Sequence, residues 1–337
     1  MEDIDEKINK HNQKTGEEIA RSHRVLSISD IIKEECKPIE FILEPWFNKQ
    51  GLVMVFAERG VGKTHFSLNT AHAIARGGEF LKWEAPAARK VLYIDGEMPF
   101  FAVKERILAM NKMYGFDPEI DNLRLITPDK YNRTIPDLSS TQGQNEVDQI
   151  IDEENIEVVI IDNIACLMPK IKGNDNDSWN TMIQGWLLSL RRRNVGVMIV
   201  HHAGKPKKDE KSSGRGSSGK EDILDTVISL SRPLGYNASD GARFIVEFTK
   251  NRHFYGDDAE PLEAWLKNDS NGEPFWSRDN IIESTYSQVC TMMNDGMRQS
   301  EIAAKLKISR QRVSKLVQKG YEQQKITIFN DSFSVKS

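Results

Sequence analysis

The run Leu52-Val53-Met54-Val55-Phe56, continued by Ala57-Glu58-Arg59-Gly60-Val61-Gly62-Lys63-Thr64, constrains this chain more than any other stretch. Five consecutive apolar residues read as a strand buried on both faces, and such a strand belongs in a parallel sheet covered by helices. Residues 64–76, stopped by Gly77-Gly78, read as the helix that follows. A glycine-rich turn between that strand and that helix aims several backbone N–H groups at one point, beside the positive end of the helix dipole. The result is a phosphate cradle running from Ala57 through His65. Lys63 would reach the β- and γ-phosphates, and the Thr64 hydroxyl would ligate Mg²⁺. Ala57 stands where the motif usually has glycine, but Gly60 and Gly62, which close backbone approach requires, are in place. The chain is expected to bind a nucleoside triphosphate.

The rhythm around this unit is that of an α/β fold. Strands are expected at 52–56, 91–95, 123–126, 158–162 and 196–201, with helices at 64–76, 100–111, 144–154 and 177–193 between them. Two more strands, near 226–230 and 243–249, would extend the mostly parallel sheet. At 337 residues the chain has room for one large domain of this kind and something smaller. The expected division is an N-terminal arm over 1–37, a nucleotide-binding domain over 38–279 and a small C-terminal domain over 280–337, with a linker near 277–280. In the arm, Ser29-Asp30 looks like the cap of a short helix that ends at Lys37-Pro38.

Net charge is −4, which neither demands nor excludes a nucleic-acid partner. Its distribution says more, because residues 281–337 carry +4 and the remainder −8. Cys36, Cys166 and Cys290 lie far apart without C-x-x-C spacing, which fits a reducing cytoplasm better than a disulfide scaffold or a zinc site. The acidic start Met1-Glu2-Asp3-Ile4-Asp5-Glu6 has no apolar run, so no signal peptide is expected, and no stretch is apolar enough to span a membrane.

Three further strands end in chemistry. Val158-Val159-Ile160-Ile161-Asp162 places a carboxylate where a phosphate-loop fold holds Mg²⁺. Val91-Leu92-Tyr93-Ile94-Asp95-Gly96-Glu97 ends in two acids: Glu97 is the candidate base or orienting group for an attacking water, and Asp95, nearer the strand, caps the next turn. Val197-Met198-Ile199-Val200 runs into His201 and His202, either of which could contact a γ-phosphate. No acidic or cysteine partner stands at metal-ligand spacing from the pair. The stretch 205–220 breaks the rhythm. It is rich in Gly, Ser and Lys, has no apolar period, and carries Lys205, Lys207, Lys208, Lys211, Arg215 and Lys220.

Over residues 38–256 these pieces resemble the RecA/DnaB superfamily, and within it the hexameric RepA-type replicative helicases of plasmids and mobile elements. The most specific parts are Asp162, His201-His202-Ala203-Gly204-Lys205, and Arg215-Gly216-Ser217-Ser218 followed by Asp222 and Asp225. The resemblance implies a RecA-like core, water activation by Glu97, a γ-phosphate sensor among the two histidines, and a ring of six subunits with ATP between neighbours. It gives meaning to Phe248-Thr249-Lys250-Asn251-Arg252, where Lys250 and Arg252 alternate at a strand end and project the same way. In DnaB-like rings a Lys-x-Arg pair here reaches the neighbour's γ-phosphate as an arginine finger does. The superfamily also turns the loops after the Asp162 and histidine strands to a central channel, so Lys170, Lys172 and the 205–220 cations would hold single-stranded DNA by its phosphates.

Residues 281–328 have a helix-turn-helix pattern. Helices are expected at 288–294, 299–306 and 310–319, and a strand at 325–329 would form a wing. Val313, Leu316 and Val317 would face the core, leaving Arg310, Gln311, Arg312, Ser314 and Lys315 outward. This part resembles winged helix-turn-helix domains, which implies contact with duplex DNA; protein interaction is the other use of that fold. The leading expectation is an ATP-hydrolysing motor on single-stranded DNA, a replicative helicase of a plasmid, phage or mobile element. The alternative is an ATP-switched DNA-binding regulator or recombination accessory that does not unwind. A KaiC-like phosphotransfer protein ranks behind both.

Overall fold

The chain divides into two units, residues 1–39 and 40–337, and each follows from its own local signals. In the computed structural model the described residues are 26–35, 38–115, 121–131, 134–171, 176–202, 218–233, 235–306 and 308–327. The first unit holds one described helix, α1 (Ile28–Lys33). Its cap is Ser27 rather than the expected Ser29-Asp30. Asp30 N donates to Ser27 Oγ (3.2 Å) and Ser27 N to the Asp30 carboxylate (2.9 Å), so two end-of-helix amides are satisfied reciprocally.

The second unit opens with a short hairpin, β1 (Phe41–Leu43) and β2 (Phe47–Asn48), before β3 (Leu52–Ala57) and the helix behind the glycine loop, α2 (Lys63–Arg76). Gly77, in the left-handed region at φ 66°, ends α2 and donates to Ile74 O, as expected of a helix stop. A second hairpin, β4 (Glu79–Phe80) and β5 (Trp83–Glu84), precedes β6 (Val91–Asp95), α3 (Phe100–Tyr114), β7 (Leu123–Ile126), α4 (Thr141–Glu154) and β8 (Val158–Asp162). After the short helix α5 (Ile164–Leu167), the helix expected at 177–193 is broken. It runs as α6 (Asn176–Trp179), a π-helical turn (Asn180–Gln184) and α7 (Gly185–Arg192). Then come β9 (Gly196–His202), α8 (Ser218–Glu221), β10 (Thr226–Ser231), β11 (Arg243–Asn251), β12 (Leu262–Asn268) and β13 (Pro274–Asn280).

Nine strands form one sheet in the order β13-β12-β11-β10-β3-β9-β8-β6-β7. The six from β10 to β7 are parallel and the last three antiparallel. Strand alternation sorts side chains to the two faces: Val53, Val55 and Ala57 pack with α2, while Leu52, Met54 and Phe56 pack on the opposite face with Trp179, Trp186 and Leu187. The stretch 277–280, expected as a linker, is instead the end of β13. An edge strand pairs on one side only and can be as polar as Ser277-Arg278-Asp279-Asn280, so its sequence resembles a loop. Trp276 Nε1 donates to Asn69 Oδ1 (3.1 Å), which ties this edge strand to α2.

From Asn280 the chain passes directly into α9 (Ile281–Asn294), which starts earlier than the expected 288, then α10 (Gln299–Lys305) and α11 (Arg310–Glu322). The three helices share a core of Tyr286, Val289, Met293, Ile302, Leu306, Val313 and Val317. Ser309 caps α11 by accepting from Arg312 N (3.2 Å). Residues 325–327 form no strand; Ile326 is buried against Gly320, where a Cβ would lie 2.5 Å from its Cδ1. The rest of the expected wing, 328–329, lies outside the described residues.

Candidate active site

The site is built at the carboxyl ends of the parallel strands, where β3, β6, β8 and β9 all deliver residues to one crevice. The glycine loop leaves β3 through Gly60 at φ 77° and Gly62 at φ 121°, both in the region that favours glycine. A Cβ on Gly62 would also lie 2.8 Å from the Phe244 ring beneath the loop. Lys63 is buried and its Nζ donates to Ala57 O (3.0 Å) and Glu58 O (2.8 Å), arching over the loop from inside. Burial lowers its ammonium pKa, with Asp162 and Glu97 opposing. Thr64 and His65 fill the first turn of α2, after Val61 has tucked into the core. The His65 imidazole is pushed down to about 4 by burial and by Arg106.

Asp162 ends β8 directly beside Asp95 of β6. Its Oδ2 accepts from Tyr93 OH (2.7 Å) and Ser67 Oγ (3.2 Å), leaving Oδ1 without a protein donor among the described residues. Thr64 and Asp162 offer only oxygen, the donor set that Mg²⁺ takes, so the residues present fit that ion. Asp95 caps the following turn, as expected: Glu97 N (2.7 Å) and Met98 N (2.8 Å) both donate to its Oδ1. Burial lifts its carboxyl pKa to about 6 against the pull of those amides.

Glu97 stands past the strand tip with an exposed side chain. Its Oε2 accepts from Asn163 Nδ2 (2.9 Å) and lies 4.0 Å from His202 Nε2. Asn163 belongs to no motif visible in the sequence. It follows Asp162, and its Oδ1 also accepts from Cys166 N (3.3 Å), so one side chain caps α5 and holds Glu97. The histidines separate by strand alternation. His202 pairs beside Ala57, at the root of the glycine loop, and its pKa is lowered by burial and Lys63. His201 lies tilted beside Phe56 (5.3 Å between ring centres) and is driven to about 3 by burial, with Lys220 its strongest neighbouring charge. Arg232, also unmarked by any motif, follows β10 and brings Nη2 to 3.5 Å from where a Cβ on Gly60 would stand; its guanidinium lies over Tyr236 (4.5 Å).

The other expected residues lie elsewhere. Arg252 is level with Leu52 at the amino ends of the parallel strands, about 17 Å of strand from Ala57, and Lys250 points the same way, to Glu221 O. Lys220, expected among the DNA-contacting cations, is instead buried, with Nζ 5.8 Å from the Trp179 ring centre; α8 folds it into the interior before β10 begins. Lys205, Lys207, Lys208, Lys211 and Arg215 lie outside the described residues, as does Lys172, and Lys170 pairs with Asp137 (3.5 Å). Arg310, Gln311, Arg312 and Lys315 are all exposed on α11. Among the described residues no helix is long and apolar enough to cross a membrane.

A comparison with curated proteins gave no match. The family model AAA_25, an AAA domain, matches residues 17–208, which include the glycine loop, Glu97, Asp162 and both histidines but not Lys250, Arg252 or the last three helices. With that match over more than half of its length, the chain belongs to the AAA_25 family and carries a P-loop ATPase domain.

Proposed function

We propose that this protein hydrolyses ATP at boundaries between copies of itself, in a ring of six, and turns hydrolysis into movement on single-stranded DNA as a replicative helicase of a plasmid, phage or mobile element. One observation carries the reading. Lys250 and Arg252 stand at the far end of the sheet from the loop, too distant to serve their own chain's phosphates, which favours a role at a neighbour's site.

Loop amides and Lys63 bind the phosphates. Glu97, fixed by Asn163, orients the attacking water and receives its proton. His202, neutral at pH 7 because its pKa is depressed, is the better γ-phosphate sensor of the two histidines, and the segment it leads into carries Lys205, Lys207, Lys208, Lys211 and Arg215 to DNA phosphates. Thr64 and Asp162 would hold Mg²⁺, whose charge offsets that of the phosphate oxygens when bound. The last three helices act as a helix-turn-helix, with Arg310, Gln311, Arg312 and Lys315 on duplex DNA.

Strand displacement on a forked substrate tests the motor. Unwinding that needs ATP and disappears in Glu97→Gln supports it. ATPase stimulated by single strands with no displacement at all would leave the ATP-switched regulator. Electron microscopy with a non-hydrolysable ATP analogue and single-stranded DNA tests the ring directly.

A further inference from the structure

Three cationic side chains close on one turn between α8 and β10. The carbonyls of Glu221, Asp222 and Ile223 accept in succession from Lys250 Nζ, Arg252 Nη2 (2.8 Å) and Arg191 Nη2 (3.1 Å). Buried Asp225 completes the arrangement. Its Oδ2 accepts from Leu52 N (2.9 Å) and Arg191, and its Oδ1 lies 3.5 Å from Arg252 Nη1. A bulge in β11 sits beside Lys250, where the pairing steps from Val227↔Lys250 to Ile228↔Phe248. Bulges re-aim side chains, and this one sets the face from which Lys250, and Arg252 just past the strand end, both reach the turn.

The two halves of the clasp differ in strength. Arg191 is a permanent tie, because it also donates to Gln50 O (3.0 Å) and binds Asp225 within one subunit. Lys250 rests on the neutral carbonyl dipole of Glu221, and Arg252 on the Asp222 carbonyl and, at 3.5 Å, more loosely than Arg191, on the Asp225 carboxylate. Burial disfavours the Lys250 charge, with Arg252 adding to the effect. A terminal phosphate, with two or more negative oxygens, is a better acceptor for an ammonium and a guanidinium than a pair of peptide carbonyls.

We propose that the turn 221–225 stores the Lys250–Arg252 pair, with Asp225 as its positioning residue, and surrenders the pair when a neighbouring subunit binds triphosphate. Glu221 and Asp222 then lose their cationic partners while Arg191 and Leu52 keep the root of the turn in place. Nucleotide in one subunit thereby loosens the foot of the basic segment in the next. The inference rests on the reading of Lys250 and Arg252 as acting in trans.

Hydrogen exchange on the full-length wild-type protein tests it, with oligomeric state and ATPase rate measured on the same preparation. A non-hydrolysable ATP analogue should speed exchange at the Leu224 amide, which donates to Glu221 O (3.1 Å), on the order of tenfold once the assembly forms. Asp225→Asn should raise that exchange before nucleotide is added, and should raise kcat without DNA while leaving KM unchanged. Exchange that stays constant or slows in an assembled, active protein overturns the storage role and leaves a purely structural clamp. A protein that hydrolyses ATP only as a monomer overturns the trans reading and the storage role together.

Discussion

The two ends of the parallel strands use positive charge differently. At the carboxyl end, Lys63 also rests on carbonyls, those of Ala57 and Glu58, but within a loop whose shape comes from backbone, with Gly60 and Gly62 at positive φ and Phe244 packed beneath. At the amino end, Lys250 and Arg252 reach by side chain alone to the carbonyls of Glu221 and Asp222 and, for Arg252, to the Asp225 carboxylate (3.5 Å). The loop frame is preorganised; on the storage proposal, the amino-end pair is exchangeable. A catalytic cradle benefits from the first property, because donors already in place need no reorganisation during reaction. A group that must cross to another molecule needs the second.

The hardest blow to the preorganised end is Glu97→Gln, which keeps the Asn163 contact possible but removes the base. Steady-state hydrolysis should fall by about 10²–10⁴-fold with nucleotide binding retained in a fluorescence titration. Unchanged turnover would move the base elsewhere in the crevice. The exchangeable end is broken next. Arg252→Ala should lower hydrolysis by about 10³-fold or more in the assembled state, with no change in a monomer. The comparison sharpens when Arg252→Ala is mixed with Lys63→Ala. Each variant lacks what the other keeps, so a shared boundary should restore part of the activity, and two inactive proteins that stay inactive when mixed would sink the trans assignment.

The carboxyl end was legible because its chemistry is written in contiguous residues. Strand, glycine turn and helix follow one another in one run, Asp95 and Asp162 each end an apolar run with Glu97 two residues past the first, and β6, β7 and β8 begin and end where those expected strands do. Asn163 escaped notice because its role is a contact to Glu97 across two strands, 66 positions apart. The strand β13 escaped because an edge strand with one bonded side carries no apolar signature. Lys220 misled for the opposite reason. A lysine among glycines and serines looks solvated, yet the turn into α8 carries it beneath Trp179. The choice between His201 and His202 also needed tertiary structure, since only the partners on each face of β9 tell the two apart.

Rigidity of the cradle can be weighed through stability. Gly62→Ala places a methyl group 2.8 Å from Phe244 at φ 121°, so strain and overpacking act together. A loss of about 3 kcal/mol is expected in chemical denaturation. The same substitution at Gly241, at φ 64° with no neighbour within 4 Å, carries only the backbone part and should cost less. Equal losses at the two positions would mean that the loop does not rest on Phe244.

The smallest effect tests burial around the cradle by pH. His65 and His201 have folded pKa values of about 4 and about 3, below the ordinary imidazole value of 6.5. For a depressed histidine the unfolded chain binds the proton first, so its contribution is complete above pH 6.5 and is lost as pH falls toward the folded value. Asp95 works in the other direction. Its folded pKa of about 6 lies above the ordinary 3.8, so its contribution is complete below pH 3.8 and is lost as pH rises through 6. Between pH 7 and pH 5 the two histidines together outweigh the carboxyl, and a net loss of about 2–3 kcal/mol is expected on acidification. Thermal melts at the two pH values should therefore show a lower Tm at pH 5. Replacing both histidines by glutamine removes the two deepest depressions and leaves His72 and His202, also lowered by burial, against Asp95, so the double variant should lose clearly less Tm between pH 7 and pH 5 than the wild type. If it loses as much as the wild type, the acid sensitivity does not come from His65 and His201, and these imidazoles are more hydrated than their packing against α3 and Phe56 implies.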